Sequence, residues 1–190
     1  MFRCLVKWLR GGGFCSQQQF YWFLRIAKTR RWQPDDETGK FPTAEEALQD
    51  LKLRPEERGL SLYRLHREDE ADELACIYSL TLRDNPGHFE YVLFPDSVLS
   101  KDDRIVHAPV EEHLRFLSER HYEIPAPAEE QLLRLAERIR NSPNKQVGRV
   151  RQKQLVDFAI QHGFLEREEF HNRIGKKWRE QILKKKKFEK

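Results

Sequence analysis

The stretch from Gln19 to Lys28 constrains this chain more than any other. Phe20, Trp22, Leu24 and Ile26 fall on one side of an extended backbone, with Tyr21, Phe23, Arg25 and Ala27 on the other. A period of two in aromatic and branched residues specifies a β-strand. Apolar side chains on both sides need cover on both sides, so this reads as a central strand whose aromatics fill a core. Lys28, Arg30 and Arg31 at its end are expected to face solvent. Basic and aromatic residues interleaved in this way also suit a platform for single-stranded nucleic acid.

Further elements follow from local signals. Thr43-Ala44-Glu45-Glu46 is a capping box, which predicts a helix from Ala44 to about Leu53. Leu60, Leu62 and Leu65 mark a short strand. Glu68 to Leu82 carries apolar residues at spacings of three and four, with acids crowding its first turn, and reads as a helix. Asp84-Asn85-Pro86-Gly87 is a turn, and Phe89 to Phe94 alternates as a strand. Residues 60–95 thus have the length of a βαβ unit. Arg104 to His107 is expected as an edge strand. Beyond Pro109 the pattern reads as helical, with helices near 110–121, 128–141, 149–162 and 166–187, and Gly163 as the left-handed residue that ends the third. The expected fold is α+β: a small mixed sheet with flanking helices over residues 1–108, then a helical region over 109–190, the two forming one body or two.

Charge is distributed unevenly along the 190 residues. The overall +4 resolves into +7 over residues 1–34, −11 over 35–144 and +8 over 145–190. Basic ends flanking an acidic middle suit contact with a polyanion, or neutralisation of the ends by the middle within one fold. The basic C-terminal region offers Arg149, Arg151, Lys153, Arg173, Lys176, Lys177, Arg179, Lys184, Lys185, Lys186 and Lys187 for phosphate contacts. Trp178 sits among them and could stack on a base. Its spacing of four from Phe170, Ile174 and Ile182 assigns it to a core instead.

Other chemistry is weakly signalled. Three cysteines without a CxxC pair argue against a disulfide framework and for a reducing, cytoplasmic setting. No apolar run is long enough to span a membrane. Residues 1–34 are acid-free like a transit segment, but the strand inside them reads as part of the fold. His113 and His121 are eight apart, two helical turns, which is too far for one metal ion. Asp35 and Asp50-Leu51-Lys52 match a loose nuclease spacing, yet Asp50 falls in the capped helix. Phe158-Ala159 and Gly163-Phe164 are similar to the start of a helix-turn-helix, but Glu169 and Asn172 occupy positions that such motifs fill with apolar residues. No phosphate loop, GxSxG or HExxH is present. No cofactor and no metal are expected.

The leading expectation is a non-enzymatic accessory protein that binds RNA or DNA through the basic C-terminal residues. A second is an adaptor or inhibitor that meets a basic protein partner through Glu68, Asp69, Glu70, Asp72 and Glu73. A third is a metal-dependent hydrolase whose site is assembled from distant positions. Such a site would need a cleft that gathers His107, His113 or the two aspartates.

Overall fold

The computed structural model describes residues 21–55 and 57–188. Gln19 and Phe20, where the expected strand begins, and two of the three cysteines, Cys4 and Cys15, lie outside the described residues.

The central-strand reading holds. Strand β1 (Trp22–Ile26) lies inside a six-stranded sheet, flanked by β2 (Gly59–Leu65) and β3 (Phe89–Pro95). Both neighbours run antiparallel to β1 and therefore parallel to each other. Helix α2 (Ala71–Leu82) connects them. The expected βαβ unit exists, but β1 is inserted between its two strands. Helix α1 (Ala44–Leu51) begins where the capping box puts it. Thr43 Oγ1 accepts from the Glu46 amide at 3.3 Å, and Glu46 Oε2 accepts from the Thr43 amide at 2.7 Å. The expected edge strand is β4 (Val106–His107).

The second half departs from the expected all-helical pattern. Helix α3 (Arg115–Ser118) is a single turn, and His121–Pro125 form strand β5. Helix α4 (Glu129–Asn141) follows, then strand β6 (Gln146–Val150), helix α5 (Gln152–Gln161) and helix α6 (Lys176–Phe188). The sheet order is β4-β5-β2-β1-β3-β6, so strands from both sides of residue 108 share one sheet. The helical reading fails at β5 and β6 because each strand is five residues long. An apolar pattern that short does not separate a period of two from one of 3.6. The last expected helix is also interrupted. Asn172 has φ +66° and the Gly175 amide donates to the Leu80 carbonyl at 3.0 Å, which breaks the helical ladder. Gly163, at φ +61°, ends α5 as expected.

Helices cover both faces of the sheet. On one face Leu24, Leu65 and Leu93 pack with α2, α5 and α6, and Trp178 is fully buried there. On the other, Phe23, Leu62 and Phe94 pack against α1 and α4, with Trp32 beneath them. Trp178 is therefore a core residue, together with Phe170, Ile174 and Ile182. Burying each such aromatic contributes about 2–3 kcal/mol. Among the described residues no helix is long and apolar enough to cross a membrane.

Candidate functional site

Strand β1 pairs with β3 along its whole length but with β2 only through Leu24. Beyond Leu24, β1 and β2 part. Arg25 fills the opening: its Nη1 donates to the Ser61 carbonyl at 3.0 Å and its Nε to the Asp50 carbonyl at 3.0 Å. An arginine in an apolar strand is therefore a bridge between two strands and a helix end. Burial pulls its guanidinium below its ordinary pKa, partly opposed by Glu57 through space.

A cleft of 490 Å³ opens at this point. Its walls come from the end of β1, the C-terminal turn of α1, Tyr63 on β2, Tyr78 and Arg83 at the end of α2, and His113 and His121. Five Lys or Arg and three His line it against three carboxylates. Those carboxylates are already engaged. Asp50 accepts from Arg31 Nη1 at 2.5 Å, from Trp32 Nε1 at 2.8 Å and from the Lys28 amide at 2.9 Å. Glu57 accepts from the Arg54 amide at 2.8 Å. Glu90 receives Thr29 Oγ1 at 2.9 Å and has His88 at 3.5 Å and Arg149 at 3.8 Å. Among the cations, Lys52 pairs with Glu129 at 2.8 Å. Arg25 bonds only to carbonyls. Arg83 donates to the His88 carbonyl at 2.9 Å and lies over the Phe89 ring. Neither has a carboxylate within ion-pair distance among the described residues, and nor does the Lys28 ammonium. The cleft keeps a positive surplus.

Two expected histidines meet here. The rings of His113 and His121 are 6.2 Å apart, although the helix expected to carry both is a single turn, with His113 ahead of it and His121 opening β5. His121 is buried with Nδ1 2.5 Å from the Ala108 carbonyl. His113 Nδ1 is shut off from solvent with no hydrogen-bond partner, and burial, with His121 beside it, lowers its pKa. His107 sits apart on β4 with its ring against Tyr122. Burial raises the pKa of the Tyr63 hydroxyl, with Tyr78 adding to the effect. Asp35 does not line the cleft. It closes a turn by accepting from Thr38 and Glu37, while Asp50 serves the turn at 29–31. No group of three or more metal-ligating side chains occurs among the described residues.

A basic edge adjoins the cleft. The turn Thr29–Arg31 lies beside β6, which is an edge strand. Glu90 ties them together, since the same Oε1 that accepts from Thr29 stands 3.8 Å from Arg149 Nε. Lys28 and Arg30 thereby come beside Arg149, and Arg151 and Lys153 follow at the start of α5; all five are exposed. The remaining C-terminal cations are spread more widely. Arg173 donates to the Glu112 carbonyl at 2.7 Å, and Lys177 to Asn85. Lys185 pairs with Asp157 and Lys186 with Glu166, while Lys176, Lys184 and Lys187 are exposed and Arg179 is half-buried.

The acidic stretch is largely engaged within the fold. Glu68 accepts from Gln146, Asp69 pairs with Arg67 at 2.7 Å, Glu70 lies 3.9 Å from Arg120, and Asp72 accepts from the Tyr91 hydroxyl at 3.3 Å. Glu73 is half-buried on α2. Cys76 is a core residue whose thiol donates to the Leu155 carbonyl at 3.4 Å, and burial raises its pKa. Sequence reasoning missed Arg25 and Arg83. The available signal for Arg25 was a charge at a position where the strand pattern calls for an apolar residue.

The architecture defines an α+β protein with one antiparallel sheet covered by helices on both faces. No family model, no curated protein and no solved structure matches the chain.

Proposed function

We propose that this protein is a non-enzymatic nucleic-acid-binding accessory protein whose phosphate contacts come from the basic edge around β6, extended by the exposed lysines of α6. The observation that carries this reading is the meeting of Thr29 and Arg149 on the Glu90 carboxylate, which holds the turn bearing Lys28 and Arg30 beside Arg149. Two basic segments more than a hundred residues apart in the chain form one surface there. Clustered exposed cations attract phosphates and release counterions, without reading sequence.

The test is a salt titration of binding to labelled short RNA, single-stranded DNA and duplex DNA. Affinity should fall steeply with salt. Arg149→Gln with Arg151→Gln, and separately Lys28→Gln with Arg30→Gln, should weaken binding to all sequences alike and lower the salt slope by about one per cation removed. Absence of binding at low salt would overturn the reading.

A further inference from the structure

We infer that the cleft beside Arg25 binds a phosphomonoester: the terminal phosphate of a nucleotide, free or at the end of a strand. This deepens the nucleic-acid reading and rests on it only for the strand-end form of the ligand.

The charge inventory of the cleft carries the inference. Asp50, Glu57 and Glu90 each have donors of their own and none makes an ion pair with Arg25, Arg83 or the Lys28 ammonium, so five Lys or Arg face three carboxylates. Arg25 is held rigidly by two carbonyls and is drawn out of water without a carboxylate partner. A guanidinium held in that way is an anion site in waiting, because burying a charge is costly unless an opposite charge meets it. Arg83 and the Lys28 ammonium share the cleft and likewise lack a carboxylate. A phosphomonoester dianion matches this surplus. Guanidinium groups bind its oxygens through paired, charge-assisted hydrogen bonds.

The rest of the lining suits the remainder of a nucleotide. Tyr78 presents a partly buried ring to the cleft, backed by the buried Tyr63 with the two rings 5.8 Å apart, edge to face. His113 and His121 close the inner wall, with His113 Nδ1 shut off from solvent. The volume of 490 Å³ falls in the range of small-molecule sites, roughly 300–1,000 Å³.

The experiment is a calorimetric titration of the full chain with inorganic phosphate, adenosine 5′-monophosphate, adenosine 3′-monophosphate and adenosine. Short RNAs with and without a terminal phosphate at either end are then compared. Phosphate and at least one monophosphate should bind, with adenosine weaker by about tenfold or more. Arg25→Gln and Arg83→Gln should each weaken monophosphate binding by about tenfold. If Arg25→Gln fails to fold, Arg83→Gln alone decides. RNA with a terminal phosphate binding more tightly than RNA without it assigns the site to strand ends. Monophosphate binding without RNA binding assigns it to free nucleotides and removes the nucleic-acid reading while the cleft inference stands. RNA binding that ignores the terminal phosphate, with no monophosphate binding, overturns the cleft inference and leaves the basic edge intact. Equal binding of adenosine and its monophosphates also overturns it.

Discussion

Arg25 Nη1 donates to the Ser61 carbonyl at 3.0 Å across the gap where β1 and β2 have stopped pairing. A side chain there does what a backbone amide does elsewhere in the sheet. Arg25→Met keeps the apolar stem and removes both donors, leaving the Ser61 and Asp50 carbonyls without them. Stability should fall by about 2 kcal/mol, read as a lower urea midpoint with unchanged slope. An unchanged midpoint would mean that water replaces the guanidinium without cost.

Gly148 faces Tyr91 across the β3–β6 pair, and a β-carbon at Gly148 would stand 2.1 Å from Tyr91 Cζ. The ring lies directly over the glycine, and its hydroxyl reaches Asp72 at 3.3 Å. Gly148→Ala should therefore cost about 2 kcal/mol, because the ring has to move. In a Tyr91→Ala background the same change should cost less than about 1 kcal/mol, a coupling that a double-mutant cycle measures.

His113 gives stability a pH dependence. Its folded pKa lies below the ordinary 6.5, first because it is buried and then because His121 is near. The unfolded chain thus takes up the proton more readily than the folded one. The stability that His113 contributes is complete above about pH 6.5 and is lost as pH falls through the folded value. His113→Gln should flatten the decline in unfolding free energy between neutral pH and pH 5 relative to the parent. An equal decline in both proteins would assign the effect to other groups.

The basic tail and the core share helix α6. Trp178 and Ile182 are fully buried while Lys184 and Lys187 are exposed. Truncation at Arg173 would remove the core residues with the charges, and Trp178→Ala alone should cost about 3–5 kcal/mol. Lys184→Gln with Lys187→Gln isolates the charge. These changes should leave the thermal midpoint within about 2 °C and lower the salt slope of RNA binding by about two. An unchanged slope would confine the phosphate contacts to the β6 edge.

Local patterns gave a sound reading wherever one element carries its own signal. The alternation around Leu24 marked a central strand, Thr43 and Glu46 marked the start of α1, and the spacing of Ile174, Trp178 and Ile182 marked a buried stripe. In each case the period or the cap lies within a few residues and matches the physics of one element. Strands β5 and β6 escaped because their apolar positions do not separate the two periods. They are strands because neighbours accept them: β5 pairs with β2, and β6 with β3.

The sequence by itself determined the α+β composition, the central strand, the caps, the buried faces of the helices and the segmented charge. Only the tertiary structure decided which charges remain available. Asp50 and Glu90 neutralise particular partners because the fold brings Arg31 and Arg149 within hydrogen-bond or ion-pair distance. Arg25, Arg83 and Lys28 are left in one cleft because no carboxylate among the described residues stands within ion-pair distance of them. Segment totals cannot anticipate this. A charge is neutralised by what lies within a few ångströms of it, and in a folded chain those neighbours come from distant positions.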